Sequence, residues 1–343
     1  MNKKIWPLIL LLAAALLAGC GGQTAPPAAP PAETPAETPA GPAAPIDVNI
    51  GALKGPTAMG MVKMMADSDA GALTDNNYNF KIFAAIDEVT PALVQGELDI
   101  AAVPANLSSV LYNNADAGVR VLAINTLGVL YIVENGETVQ SIGDLAGKTV
   151  YASGKGATPE FALRYILQEN GLSDSVTLEW LPEHAACVSA ITSDPSGIAM
   201  LPQPFVATAQ AQNSDLRAAL DLTAEWDKLQ TGAPAPSALI TGVIVARTEF
   251  VRENPDAVNA FLDHYKDSVA FAQSDPAAAA ELIGGYDIVP AAVALKALPY
   301  CNIVFIEGAE MKEKLAGYLG VLLEQSPEAV GGALPPPDFY YAR

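Results

Sequence analysis

From Ile46 to the C-terminus, short apolar runs typical of buried strands alternate with segments whose apolar residues recur at helical spacing. This alternation is typical of an α/β fold with mainly parallel sheets, in which helices cover the faces of the sheet. Strands are predicted at residues 47–53, 79–83, 99–103, 119–124, 129–133, 176–180, 197–201 and 241–246. Helices are predicted at residues 59–65, 90–95, 160–170, 185–191, 205–212, 255–273, 276–283, 290–297 and 308–325.

The order of strands and helices restarts near residue 142, which predicts two similar α/β lobes joined by crossover strands. The strand at 129–133 leads into the second lobe, and the strand at 241–246 leads back. We expect lobe 1 to comprise residues 46–128 plus 246–343, and lobe 2 to comprise residues 129–245. Ligands of open α/β sheets bind beyond the carboxyl ends of the strands, where helices begin, so two such edges would face each other across a ligand cleft.

Residues 1–19 have the composition of a bacterial export signal. Two lysines, Lys3 and Lys4, precede an apolar run at residues 8–18 that is shorter than the about 20 residues a membrane-spanning helix needs. The sequence Leu-Ala-Gly-Cys at residues 17–20 resembles a lipoprotein cleavage motif. Cys20 is therefore predicted to carry acyl chains and to anchor the mature protein on the extracytoplasmic face of the cell membrane. The alternative is an ordinary secretory signal cut near Ala18, which leaves Cys20 free.

The segment after the cysteine, within residues 20–45, is almost wholly Ala, Pro, Thr, Glu and Gly. It has no apolar side chain larger than Ala or Pro, so it cannot bury a core and is predicted to be a disordered linker. A short Pro-rich recognition peptide is the alternative. The remaining chain of about 300 residues is long enough for two lobes of ordinary domain size.

The chain is strongly acidic, with 18 Lys and Arg against 38 Asp and Glu; loss of Lys3 and Lys4 with the signal would change the net charge from −20 to −22. This balance argues against a nucleic-acid partner or direct adhesion to anionic lipid. Beyond Cys20 only Cys187 and Cys301 remain, and we favour two separate buried thiols over one disulfide. With two histidines in the chain, no metal site or cofactor is expected.

Three segments resemble type II periplasmic binding proteins. They are residues 47–61 with the turn Gly55-Pro56-Thr57, residues 93–101 (Leu-Val-Gln-Gly-Glu-Leu-Asp-Ile-Ala) and residues 142–150 (Ile-Gly-Asp-Leu-Ala-Gly-Lys-Thr-Val). The similarity is to the branch that includes nitrate, sulfonate, taurine and thiamine-pyrimidine binders. It implies the bilobal type II fold, and it covers residues 46–283 well and the C-terminal helices loosely.

In that family the loops after the lobe strands hold the ligand, so the resemblance implies five ligand-binding loops in this chain. The residues so implied are Gly55, Pro56 and Thr57; Pro104, Ala105 and Asn106; Gly154, Lys155, Gly156, Ala157 and Thr158; Pro182, Glu183 and His184; and Gln203, Pro204 and Phe205.

Several of these residues have an alternative structural role. Gly55 and Pro56 suit a tight turn into a helix, which either leaves the amide of Thr57 free for a ligand oxygen or simply connects a strand to a helix. Asn106 carries both a donor and an acceptor, so it can orient a ligand or cap a helix.

The charged and aromatic residues of the loops are equally open to two interpretations. Lys54 and Lys155 would place one cation on each lobe and attract an anion, or would remain solvated. Glu183 and His184 could contact a polar ligand or respond to pH. Phe205 could stack on a flat ligand or pack beneath the cleft.

The resemblance implies a substrate-binding component of an ABC importer, which acts as a monomer with a membrane permease and its ATPase as separate chains. The first alternative is an extracytoplasmic enzyme on the same fold, but the sequence has no Gly-x-Ser-x-Gly, His-Glu-x-x-His or phosphate-loop motif. The second alternative is a ligand sensor. The closure of two lobes on a small solute would drive transport or sensing.

The sequence does not determine whether the ligand is a pyrimidine, a sulfonate, nitrate, an amino acid or another solute. No arginine occurs in the five loops, which weighs against a tightly held dianion. A flat heterocycle would need aromatic walls, for which Tyr151, Trp180 and Phe205 are candidates.

The lipid anchor predicts that a Cys20→Ala variant loses its membrane association, because no acylated cysteine then holds the chain to the bilayer. Fractionation of cells and detergent-phase partitioning measure this loss. Retention of the variant in the membrane fraction would contradict the prediction.

Overall fold

The computed structural model describes residues 44–114, 118–232 and 237–343. The predicted export signal, Cys20 and the linker up to residue 43 lie outside the described residues. Within the described ranges, no helix is long and apolar enough to cross a membrane.

Eleven strands form two sheets in the described part of the chain. They are β1 (Asp47–Leu53), β2 (Asn77–Phe83), β3 (Ile100–Pro104), β4 (Val119–Leu127), β5 (Leu130–Asn135), β6 (Thr149–Ala152), β7 (Thr177–Trp180), β8 (Ile198–Pro202), β9 (Leu216–Asp221), β10 (Ile240–Arg247) and β11 (Ile303–Ile306). The first sheet has the order β11-β4-β10-β3-β1-β2, and the second has the order β7-β6-β8-β5-β9. The chain therefore enters the second sheet after β4 and returns to the first with β10.

Thirteen α-helices accompany the strands in the described residues. They are α1 (Pro56–Met59), α2 (Val62–Asp69), α3 (Ile86–Val94), α4 (Ala105–Asn114), α5 (Thr158–Glu169), α6 (His184–Ser193), α7 (Phe205–Gln212), α8 (Leu222–Gln230), α9 (Thr248–Glu253), α10 (Pro255–Ser274), α11 (Pro276–Gly285), α12 (Ala291–Ala297) and α13 (Gly308–Gln325). Short 3₁₀ turns occur at Ile142–Leu145, Leu298–Tyr300, Pro327–Val330 and Pro337–Phe339.

The predicted α/β fold with two sheets is confirmed, but the expectation of mainly parallel sheets is wrong. Among the pairs of these strands, four are parallel and five are antiparallel. The parallel pairs join β1 to β2 and β3, and β6 to β7 and β8. A strand that is buried on both faces is a continuous apolar run whether its neighbours are parallel or antiparallel. The sequence pattern therefore does not reveal the direction of the neighbouring strand. The predicted lobe boundaries stay a prediction.

The two sheets share one local arrangement that places residues at a common edge. The central strands β3 and β8 are buried at every position, and each ends in a proline, Pro104 or Pro202. Proline has no N–H and is therefore suited to the end of a paired strand. A helix begins directly after β3 and, two residues later, after β8. Each sheet thus presents strand-to-helix connections at the carboxyl ends of its central strands.

Six elements were not predicted from the sequence: β6, β9, β11, α4, α8 and α9. Strands β9 and β11 are only partly buried, and β11 has four residues, so neither shows a clear apolar run. Helix α3 begins at Ile86 rather than at residue 90, and its first turn carries Asp87 and Glu88. Acidic residues are favoured there because they interact with the positive end of the helix dipole.

One buried hydroxyl fixes the helices that follow β1. The Oγ of Ser268, in α10, donates to the carbonyl of Gly60 at 2.7 Å and accepts from the N–H of Met64 at 3.2 Å. Met64 lies in the first turn of α2, where backbone N–H groups have no partner within the helix. Ser268 therefore supplies a missing partner and holds α1 and α2 against α10.

A Ser268→Ala variant should lower the free energy of unfolding by about 1–3 kcal/mol, because it leaves a buried N–H and a buried carbonyl without this partner. Urea denaturation followed by circular dichroism measures the change. Ser274→Ala, at the exposed end of the same helix, is the matched control and should change stability by less than about 0.5 kcal/mol. Equal effects of the two substitutions would contradict the role of Ser268.

Candidate functional site: a cleft lined by both sheets

A cleft of about 900 Å³ lies where the carboxyl ends of strands from the two sheets meet. Three strand-to-helix connections of the first sheet contribute to its lining, after β1, β2 and β3, and three of the second sheet do so, after β6, β7 and β8. This volume falls within the range of small-molecule sites in proteins. The arrangement is the edge-to-edge cleft that two α/β sheets can form when their strand ends face each other.

Eleven of the residues implied for ligand binding line this cleft. They are Pro56, Thr57, Pro104, Gly154, Lys155, Gly156, Ala157, Pro182, Glu183, His184 and Phe205. Six do not line it: Gly55, Ala105, Asn106, Thr158, Gln203 and Pro204. The cleft therefore brings together members of all five predicted loops, while their contact with a ligand stays a prediction.

Gly55 allows the backbone conformation of the turn after β1 and does not itself line the cleft. Its φ of 139° lies in the region that favours glycine, and a Cβ atom there would lie 4.0 Å from the Phe205 ring of the opposite sheet's edge. The hydroxyl of Thr57, two residues on, donates to the carbonyl of Leu53 at 2.9 Å. The turn after β1 is thus a tight connection that brings Thr57 to the cleft.

Asn106 is fully buried and its side chain is already bonded. Its Nδ2 donates to the carbonyl of Gly156 at 3.3 Å and to that of Ala329 at 3.0 Å, and its Oδ1 accepts from the hydroxyl of Thr158 at 3.3 Å. Both amide hydrogens therefore have partners. Asn106 ties the start of α4 to the start of α5 and to the C-terminal 3₁₀ turn, which is a structural role outside the cleft lining.

The glycine turn after β6 holds a carboxylate of the protein itself. Gly154 and Gly156 have φ values of 81° and 77°, which glycine adopts without strain. The N–H of Gly156, however, donates to Oε2 of Glu160 at 2.7 Å, and the other oxygen of Glu160 accepts from Nε of Arg164 at 2.8 Å. The protein's own carboxylate occupies the donor of this turn.

Ser153 and His184 form a polar pair in the lining. Ser153 Oγ and His184 Nδ1 lie 2.6 Å apart, and the His184 ring packs against Phe205 with 5.0 Å between ring centroids. The imidazole lies deep among protein atoms while part of it faces the cleft. Desolvation by this burial lowers the pKa of His184 to about 4 from 6.5, so the ring is uncharged near neutral pH.

Charged side chains of the lining are few and balanced in sign. Lys54 and Lys155 oppose Asp87 and Glu183, and Lys155, Asp87 and Glu183 are exposed to solvent. The Nζ of Lys54 is 4.0 Å from Asp287 Oδ2. No arginine is present among the lining residues of this cleft in the described chain.

Sequence reasoning missed part of the lining. Residues 84–87, with Thr90 and Pro91, line the cleft around the start of α3, which lies four residues before the predicted start. The acidic first turn of α3 is the signal that could have placed its start correctly. Ser153, Leu107, Thr126 and Thr241 were also missed. Thr126 and Thr241 belong to β4 and β10, whose antiparallel pairing the sequence did not reveal.

The three aromatic candidates differ in whether they line the cleft. Trp180 and Phe205 line the cleft, whereas Tyr151 does not, and its hydroxyl bonds to Oδ2 of Asp194 at 3.3 Å.

Cys187 and Cys301 are both buried free thiols, as predicted, and burial raises the pKa of Cys187 to about 11. Within the described ranges, no cluster of three or more His, Cys, Asp or Glu could hold a metal ion.

The sheet order and the cleft define a bilobal binding-protein fold. The family model NMT1/THI5 like matches residues 87–279, more than half of the chain, so the chain belongs to this family. The resemblance to type II periplasmic binding proteins is confirmed. No curated protein sequence matches the chain.

Solved structures share this fold at low sequence identity. An ABC transporter protein from Parabacteroides distasonis is 22% identical with a TM-score of 0.70, covering 86% of this chain and 99% of that one. The alkanesulfonate-binding protein SsuA from Xanthomonas axonopodis pv. citri, bound to MOPS, is 16% identical with a TM-score of 0.66, covering 82% and 94%. The nitrate-binding protein NrtA from Synechocystis PCC 6803 is 14% identical with a TM-score of 0.58, covering 77% and 74%.

The lowered pKa of His184 predicts a loss of stability in mild acid. The unfolded chain binds a proton at His184 below about pH 6.5 while the folded chain does not, so stability is complete above this pH and falls as the pH drops toward 4. The loss should reach about 2 kcal/mol by pH 4.5. Urea denaturation at a series of pH values measures it.

A His184→Gln variant should lack this component, whereas His264→Gln, which changes the second histidine of the chain, should retain it. A His184→Gln variant with the same pH slope as the wild type would show that another group is responsible.

Proposed function

We propose that this protein is the extracytoplasmic solute-binding component of an ABC importer, which captures a small molecule in the cleft and delivers it to a membrane permease. The observation that carries this proposal is the lining itself, to which strand ends of both sheets contribute in equal number. A ligand held by both sheets favours the closed arrangement, because it gains its full set of contacts only there.

The family membership and the fold of the neighbouring structures support this function. SsuA and NrtA are described as binding alkanesulfonates and nitrate, and the first neighbour is described as an ABC transporter. We propose a monomeric receptor that works with a permease and an ATPase as separate chains. The predicted lipid at Cys20 and the linker that follows it would let the receptor remain tethered while it moves to the permease.

We propose binding rather than catalysis. His184 lies beside the hydroxyl of Ser153, which is the nearest arrangement in the cleft to a base and a nucleophile. Its pKa of about 4 makes it a weak base near neutral pH, and general bases work best with a pKa near the operating pH. The pair is better suited to accepting and donating hydrogen bonds to a bound solute.

The test is a thermal-shift screen of the purified lipoprotein against a broad solute library, followed by small-angle X-ray scattering with each hit. We expect a solute present at 100 times its Kd to stabilise the protein by about 2.7 kcal/mol and to reduce the radius of gyration as the cleft closes. A Phe205→Ala variant should bind the same solute about tenfold more weakly, since it removes a ring of the lining.

Tyr151→Phe is the matched control, because Tyr151 lies outside the lining. If no solute in the library raises the melting temperature, or if hits bind with no change in the scattering, the receptor function is wrong.

A further inference from the structure

The wall of the cleft is chiefly apolar. Six aliphatic side chains line it, from five separate segments of the chain, together with Trp180 and Phe205. Six prolines also line it, and a proline exposes hydrocarbon and has no N–H to donate. The aliphatic residues are Leu53, Ile86, Leu107, Val129, Leu130 and Leu181. Such a surface binds a solute mainly by removing apolar area from water.

The charges beside this wall provide no excess of positive charge for an anion. Lys155, Asp87 and Glu183 are exposed at the rim, and with Lys54 they give a net charge of zero. The guanidinium of Arg164 lies 6.0 Å from the Trp180 ring, but Glu160 already pairs with it. An ion that leaves water without a partner charge loses several kcal/mol of solvation.

Several backbone donors at the starts of α1, α5 and α7 are also occupied or missing. The N–H of Gly156 already donates to the carboxylate of Glu160. Helix α1 begins with Pro56, and Pro159 is the second residue of α5, so these positions have no N–H. In α7, the N–H of Ala207 donates to Oε1 of Gln203 at 3.3 Å. These helix starts therefore offer an anion fewer donors than a free helix N-terminus would.

The lining does hold one uncharged polar pair. Ser153 and His184 share a hydrogen bond, and His184 Nε2 has no hydrogen-bond partner in the part of the chain that the structure describes. A neutral imidazole can donate or accept one hydrogen bond at this atom. The site thus combines a chiefly apolar wall with a neutral hydrogen-bonding group at His184.

We propose that the cleft selects an uncharged small molecule with a largely apolar body and one hydrogen-bonding group directed at His184, and that it rejects sulfonates, nitrate and other strong oxyanions. This inference rests on the proposed receptor function. It separates this chain from SsuA and NrtA, which share its fold and whose descriptions name anions.

The test uses pairs of probes that have nearly the same shape and differ in charge. Benzenesulfonamide and benzenesulfonate form one pair, benzamide and benzoate a second, and cyclohexanecarboxamide and cyclohexanecarboxylate a third. Isothermal titration of the purified lipoprotein should show that the uncharged member binds at least about tenfold more tightly, because its desolvation costs less. Taurine and nitrate should not bind.

A charge-neutralising substitution provides a second test of the ligand class. Glu160→Gln keeps the size of the side chain and removes the negative charge at Gly156, which leaves Arg164 without its partner. The affinity for benzenesulfonate should rise by about threefold or more, while that for benzenesulfonamide should change by less than about twofold. Glu169→Gln, at the exposed end of the same helix, is the matched control and should alter neither affinity.

The outcomes separate this inference from the receptor function. Tighter binding of any anionic member, of taurine or of nitrate overturns the ligand class but leaves the receptor function standing. An uncharged probe that binds without reducing the radius of gyration supports the ligand class and removes support from the receptor function. The ligand class is also wrong if none of the uncharged probes binds.

Discussion

The pairing of β10 with β3 and β4 is the contact on which the cleft depends. This strand returns from the second sheet and lies between the two strands, antiparallel to both. Gly242 sits opposite Pro104 in this ladder, and a Cβ atom there would lie 2.5 Å from Asn125 Oδ1, so a larger residue would force neighbouring side chains to shift. The same pairing brings Thr126 and Thr241 beside Pro104 in the cleft lining. Shifting it would displace the strand ends of the first sheet from those of the second.

Hydrogen bonds within the protein already occupy several polar groups near the cleft. They therefore determine which groups remain for a bound solute. Glu160 occupies the N–H of the glycine turn, and the amide of Asn106 is committed to backbone carbonyls. Burial keeps His184 uncharged near neutral pH. Each arrangement is favourable because a buried polar group without a partner costs about 1–3 kcal/mol. What remains for a solute is a chiefly apolar surface beside the neutral pair of Ser153 and His184, on a fold that other proteins use with different sites.

Much of the fold could be predicted because it depends on local patterns. Helix α7 and helix α13 match their predicted bounds, and β1 does as well. The strand ends followed by Pro104 and Gly154 were recognised as site positions for the same reason, since a strand-to-helix junction leaves a signature within a few residues. The start of α3 was misplaced by four residues, and the lining residues 84–87 were missed with it.

The sequence by itself determined the α/β alternation, the two-sheet architecture and the strand ends at which residues of the cleft are found. Only the tertiary structure decided the direction of the crossover strands and which donors of the predicted loops are free. Asn106 and Gly156 are 50 residues apart, and Ala329 is 223 residues from Asn106. Contacts at such separations depend on how the sheets and helices pack. Apolar periodicity fixes which face of an element is buried, but it does not specify the partner that each buried polar group finds.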